Sequence, residues 1–149
     1  MPGKAPPKIT PDSLSDYFEV LTKAVFQSGI SWGVIEARWG GLTAAFDDFD
    51  PEVVASFTPH TVDRLMQDAR VVRNRRKLEA TVANAAEMIA LDREYKGFRN
   101  YLHSHAGHED LVDDLKSRFQ LLGDRGAWFF LHVVGEDVPA VDEPVALRH

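Results

Sequence analysis

Apolar positions recur every three to four residues along most of the chain, and no stretch alternates convincingly with the period of two that a strand requires. Leu14, Phe18, Leu21 and Val25 form the first such stripe. Thr10 followed by Pro11 offers a capping hydroxyl and a proline for the first helical position, so a helix is expected from there to about Gly29. Ser31 can cap a short second helix to about Arg38, which Gly40 and Gly41 break. Asp50-Pro51 and Thr58-Pro59 repeat the cap-plus-proline signal and open helices over 52–56 and 60–68. Asn74 caps the longest helix, to about Arg93, with Leu78, Val82, Ala85 and Ile89 facing inward. A brief helix near Tyr101 and a loop with His103, His105 and His108 follow, then a helix over 109–119 with acidic residues at its start. After Gly123, Asp124 can cap a last helix to Val134, apolar on nearly all sides and therefore expected to be buried. The pattern predicts an all-α domain of many short helices over residues 10–149, preceded by a flexible tail over 1–9. It shows no internal repeat and no second domain.

Composition narrows the function. The chain has 149 residues, 44% of them hydrophobic and 27% charged, which is ordinary for one soluble globular domain. It contains no cysteine, so disulfides, iron–sulfur clusters and thiolate zinc sites are excluded. Residues 1–11 have no apolar core of the kind a signal peptide carries, and the longest apolar run, 127–134, is too short to span a bilayer. The expectation is a cytoplasmic protein with no membrane partner. His103, His105 and His108 superficially suggest a metal site, but strong sites add a carboxylate or thiolate in fixed geometry. No metal and no cofactor are expected, and His132 inside the last helix reads as a hydrogen-bonded core residue.

Charge changes the picture more. The net charge is −6, yet Arg70, Arg73, Arg75, Arg76 and Lys77 crowd into eight positions. A cationic patch on an acidic protein gives a polyanion one preferred docking face and repels it elsewhere. The solvated face of a helix beginning at Arg75 would carry the same residues.

Three segments then follow in order: Gln27-Ser-Gly-Ile-Ser-Trp32, Phe46-Asp-Asp-Phe-Asp-Pro51-Glu-Val-Val-Ala55 and Asp68-Ala-Arg-Val-Val-Arg73-Asn-Arg-Arg-Lys77. Their succession resembles the bacterial 3-methyladenine DNA glycosylase I (Tag) family, within the helix–hairpin–helix glycosylase superfamily, from about Asp16 to Ile89. The stretch from Leu121 to Ala127 is similar to the superfamily's hairpin, whose backbone N–H groups and following helix N-terminus grip a DNA phosphate. The resemblance thereby makes Arg73, Arg75, Arg76, Lys77, Gly123, Arg125 and Gly126 DNA-binding candidates. It places Trp32 where a base-stacking aromatic belongs, with Gln27 and Ser28 as hydrogen-bonding candidates for a flipped base. A core tryptophan and helix-surface polarity account for these three residues as well, and Trp39 and Trp128 are expected in the core. Residues 138–148 resemble the segment that carries the catalytic aspartate in other helix–hairpin–helix glycosylases, which makes Asp142 the catalytic candidate; an ordinary turn aspartate would also fit there.

The departures bear on substrate. The family's zinc ligands, from an N-terminal segment and the C-terminus, have no counterpart here. The glutamate with which the family reads the alkylated base falls at Ala24, and the hairpin lacks its usual glycine pattern, with Asp124 near the expected phosphate. The resemblance implies a cofactor-free, monomeric, monofunctional DNA glycosylase acting on double-stranded DNA containing damaged bases. It would flip a damaged, alkylated purine and hydrolyse its N-glycosidic bond. Without the glutamate, charge pairing with cationic 3-methyladenine is expected to be lost and stacking on Trp32 to carry more of the binding. The alternative is a non-catalytic helix–hairpin–helix DNA-binding module: Ala24 favours it, Asp142 favours the enzyme. A protein–protein adaptor would leave the basic run unexplained.

Overall fold

A computed structural model of the chain describes residues 7–139, so the segment carrying Asp142 lies outside the described residues. Eight α-helices occur among those described: α1 (Leu14–Gln27), α2 (Trp32–Ala45), α3 (Pro51–Ala55), α4 (Pro59–Leu65), α5 (Arg75–Glu94), α6 (Phe98–Leu102), α7 (His108–Arg118) and α8 (Asp124–Val133). One 3₁₀ turn, Asp47–Phe49, joins α2 to α3, and no strand is present among the described residues. The all-α expectation holds.

Local cap signals place most helix starts. Asp50 accepts the Glu52 amide at 3.0 Å ahead of Pro51, Thr58 and Thr61 form a reciprocal capping box around Pro59, and Asn74 accepts the Lys77 amide at 3.2 Å. Four expectations need correcting. α1 begins at Leu14 because the Ser13 hydroxyl accepts the Asp16 amide, while the Asp16 carboxylate reaches back to the Asp12 amide at 2.8 Å; Thr10-Pro11 is only its lead-in. Ile9, assigned to the tail, donates its amide to the Val133 carbonyl at 2.7 Å. α2 does not break at Gly40-Gly41 but runs on to Ala45. A methyl group on Gly41 would come within 2.6 Å of the Arg70 carbonyl, so this glycine admits a neighbouring backbone. α8 is capped by Gly123 without a side-chain bond, and Asp124 instead pairs with Lys116 at 2.7 Å.

α5 is the longest helix and packs against α3, α6 and α1; α1 in turn packs against α8. Phe18, Leu21 and Phe26 of α1 meet Leu78, Ala85 and Met88 of α5 and Phe130 and Leu131 of α8 in one continuous core. Val82 is only half-buried, and α8 buries Ala127, Phe130, Leu131 and Val133 but leaves Trp128, Phe129 and His132 partly exposed. The 3₁₀ turn holds Asp47, Asp48 and Phe49 at positive φ, a conformation that aspartate tolerates better than most residues. It drives Phe49 into the core, stacked on Trp39 with centroids 5.1 Å apart.

A polar network closes the far side of α5. The Asp114 carboxylate accepts the Tyr101 hydroxyl at 2.7 Å and the Arg118 Nε at 3.1 Å, and pairs with His105 at 2.9 Å. Arg118 continues to Glu87 at 3.1 Å. Partial burial raises the Asp114 pKa, but the bonds from His105, Tyr101 and Arg118 outweigh it and hold the carboxyl below its usual range.

Candidate nucleic-acid interface and base site

Gln27 ends α1, Trp32 begins α2 and Ser28 lies in the turn between them, which α5 holds in place. Helices end with unpaired carbonyls, and a cation is favourable at that terminus. Lys77 supplies it: its ammonium donates to the carbonyls of Val25 at 2.9 Å, Phe26 at 3.4 Å and, closest, Ser28. Lys77 is only 7% exposed, and burial together with neighbouring Arg76 pushes its pKa down. All three of its donors are taken by α1 and the turn, which withdraws this residue from the DNA-binding set read from the sequence.

The rest of the basic run is divided by local ion pairs. Arg70 forks onto Asp68, and Arg75 bridges Asp63 at 2.5 Å and Glu79 at 3.6 Å. Arg73 and Arg76 are exposed and form no ion pair among the described residues. Arg76 and Lys77 line a cleft of about 320 Å³ together with Ser28, Asn74, Lys116 and the apolar side chains of the α7–α8 hairpin. No lining residue of this cleft carries a carboxylate.

The hairpin is fixed by α5. Asn84, 2% exposed, accepts the Gln120 amide at 2.7 Å and donates to the Gln120 carbonyl at 3.2 Å. Leu121 takes φ +60°, the left-handed conformation for which a glycine is the usual choice. Gly123 is exposed at the start of α8, where the first-turn amides have no side-chain cap. Gly126 points elsewhere: it packs against Ala24 of α1, and a methyl added to it would also lie 2.9 Å from Leu122. Arg125 lines a second groove, of about 360 Å³, with Trp128 and the carboxylates of Glu109, Asp113 and Asp124.

Trp32 begins α2 and is 37% exposed, with Ser31 accepting the Val34 amide ahead of it. Its ring lies 6.4 Å from that of Trp39, two turns further along the same face of α2. Trp39 is half-buried at the edge of the core and donates its indole N–H to Glu19 at 2.8 Å. Lys23, one turn after Glu19, sits over both rings, 5.5 Å from Trp39 and 6.0 Å from Trp32. The Gln27 side-chain nitrogen is buried without a hydrogen-bond partner. Trp128, contrary to expectation, lies outside the core, stacked on His132 at 4.8 Å in the second groove.

Ser28, Arg76, Lys77 and the hairpin therefore converge on one cleft, with Gln27 and Trp32 on the adjoining turn, while Arg125 and Gly126 face other surroundings. The sequence reading missed Glu19 and Lys23, whose spacing of four residues on a helix was their available signal. It also missed Asn84, whose partner Gln120 is remote in the chain. A thiolate zinc site does not fit these residues. There is no cysteine, His103 pairs with Glu136 at 2.7 Å and His105 with Asp114, and no group of three ligating side chains forms among the described residues.

Comparison with known proteins bears on the whole arrangement. Residues 10–123 match the methyladenine glycosylase family. A DNA-3-methyladenine glycosylase of Haemophilus influenzae is 32% identical over 98 residues, covering 66% of this chain and 53% of that protein. DNA-3-methyladenine glycosylase 1 of Escherichia coli is 30% identical over 95 residues, covering 64% and 51%. The chain spans about half the length of these curated relatives. Among solved structures, a 3-methyladenine DNA glycosylase I in complex with 3-methyladenine superposes with a TM-score of 0.76 at 29% identity, over 95% of this chain and 88% of that one. The Staphylococcus aureus enzyme, whose structure addresses 3-methyladenine recognition, gives 0.75 at 27% identity over 95% and 87%.

Proposed function

The chain belongs to the methyladenine glycosylase family, and from that footing we propose that it is a DNA glycosylase, hydrolysing the N-glycosidic bond of alkylated purines in double-stranded DNA. The observation that carries this reading is the α1–α2 turn: an exposed Trp32 and an unpartnered Gln27 amide, held by Lys77 next to Arg76 in the cleft, with Arg73 a further exposed cation just before α5. Those two arginines and the amides at the start of α8 suit backbone phosphates, which position the duplex without reading its sequence. An extruded purine would then stack on Trp32, and the Gln27 amide, buried without a partner in the free protein, would swing out to bond its ring edge.

An alkylated purine leaves readily, so the protein has mainly to extrude and hold it and to stabilise positive charge developing on the sugar. Asp142 is the residue proposed for that charge, on the resemblance of its segment alone. The protein would act as a cytoplasmic monomer without a cofactor; no helix among the described residues is long and apolar enough to cross a membrane. The test is to incubate the protein with alkylated duplex DNA and identify released bases by mass spectrometry. Release of methylated purines is expected.

A second reading, a DNA-binding module without catalysis, draws on Ala24, which packs against Gly126 in place of the family's base-reading carboxylate. Tight binding to duplex DNA without release of any base would select it.

A further inference from the structure

We propose that Lys23 is a specificity-determining residue, which turns the Trp32 face away from cationic N-alkylpurines and toward neutral alkylated purines such as an etheno-bridged adenine. The proposal rests on Trp32 being the stacking ring of the glycosylase reading above.

Selectivity for a positively charged base needs negative charge, or an unoccupied π-face, where the base stacks. Here the carboxylate beside the rings, Glu19, is paired with Lys23, whose ammonium lies over the aromatic pair. The position of the family's carboxylate is Ala24, which is 5% exposed and closed off by Gly126 of α8. The aromatic pair is already engaged by a cation of the protein itself, the Lys23 ammonium at 5.5 Å from Trp39 and 6.0 Å from Trp32. Its position is constrained, because Glu19 lies 3.9 Å away and is itself anchored by the Trp39 indole N–H at 2.8 Å. Glu19 thus holds the ammonium on the rings, with the carboxylate oxygen nearest to it already bonded to Trp39.

A purine stacked on the open face of Trp32 meets a ring whose electron density is polarised toward Lys23. A purine entering between Trp32 and Lys23 must displace the ammonium. In both geometries a neutral base loses little, whereas a cationic one meets a like charge within a Debye length, at a partly buried site where screening is weak. The expected discrimination is about tenfold.

The experiment compares single-turnover excision of 1,N6-ethenoadenine from a defined duplex with release of 3-methyladenine and 7-methylguanine from methylated duplex DNA. It uses the wild type, Lys23→Leu and Lys23→Arg. Leu keeps the apolar stem and removes the charge, leaving Glu19 beside the rings. Lys23→Leu should raise the cationic-to-neutral rate ratio about tenfold, and Lys23→Arg should keep the ratio within about twofold of wild type. A ratio unchanged by Leu, or shifted equally by Leu and Arg, overturns the proposal. Lys23→Gln serves where the Leu variant does not fold. If the wild type releases no base from any duplex, the glycosylase reading fails on its own. Quenching of tryptophan fluorescence by cationic 1-methyladenosine against neutral ethenoadenosine then decides the role of Lys23. A gain of about tenfold for the cation in the Leu variant supports it, and an unchanged ratio overturns it.

Discussion

Ala24 of α1 faces Gly126 of α8 so closely that a methyl group on Gly126 would lie 3.6 Å from the Ala24 methyl. The position at which relatives are expected to present a base-reading glutamate is therefore a helix–helix contact here. Restoring the acid by Ala24→Glu should not restore recognition of cationic bases. It should bury a carboxylate between two helices without a partner and destabilise the fold by about 3–5 kcal/mol. Chemical denaturation measures this, and a variant as stable as the wild type would mean that α8 can move aside.

Lys77 offers the complementary case, a charge whose removal should unfasten the α1–α2 turn. Lys77→Met keeps the stem and removes the ammonium from three carbonyls, of which that of Val25 keeps the Ser28 amide. The expected cost is about 2 kcal/mol, since these carbonyls regain water only in part. Denaturation midpoints test the stability. Loss of base release at unchanged affinity for undamaged duplex tests whether the turn, and not the DNA contact, is what Lys77 serves.

The arginines should separate by their partners. Arg73→Ala and Arg76→Ala should each lower the salt slope of duplex binding by about one, as a phosphate contact does. Arg75→Ala should do less, because Asp63 and Glu79 already neutralise that side chain. Binding titrations across a range of salt concentrations make the comparison; equal slopes for all three variants would mean that the ion pairs of Arg75 open on DNA.

What the sequence disclosed was what local chemistry decides. Asp50-Pro51, Thr58-Pro59 and Asn74 announce helix starts because cap and helix lie within four residues of each other. Gly41 misleads because its reason is the Arg70 backbone, remote in the chain, and the same glycine would break a helix that lacked such a neighbour. Lys77 misleads similarly: within the run it looks like one more surface cation, and only the fold brings the end of α1 to it. The order of motifs exposed the family and the Trp32 turn, whereas the Lys23–Trp32–Trp39 arrangement depends on how α1 and α2 cross.

Acid should loosen the helices around Asp114. Its native carboxyl binds a proton more weakly than the unfolded chain does, so falling pH favours the unfolded state. The contribution is complete above the unfolded carboxylate range, about pH 4, and is lost as the pH falls through the lower native value. Asp114→Asn should be less stable at pH 7 and show a shallower loss between about pH 5 and pH 3. Thermal melts across that range measure it, and parallel curves for the two proteins would assign the acid limb to other carboxylates.

Asp142 is the sharpest test of catalysis, because it tests the proposed chemistry apart from DNA binding. Cleaving the glycosidic bond builds oxocarbenium character on the deoxyribose, and a fixed carboxylate nearby stabilises that charge or orients the attacking water. Asparagine has nearly the same shape without the negative charge, so Asp142→Asn separates electrostatics from packing. The excision rate should fall at least ~10²-fold, the scale of removing one preorganised electrostatic group, while duplex affinity is kept or improved. The loss should be smaller for cationic alkylpurines than for neutral ones, since a base that leaves easily needs less help from the protein. Single-turnover rates on both substrate classes measure the difference. Wild-type rates in the Asn variant on every substrate would reduce Asp142 to a turn residue and require the catalytic charge to come from elsewhere in the chain.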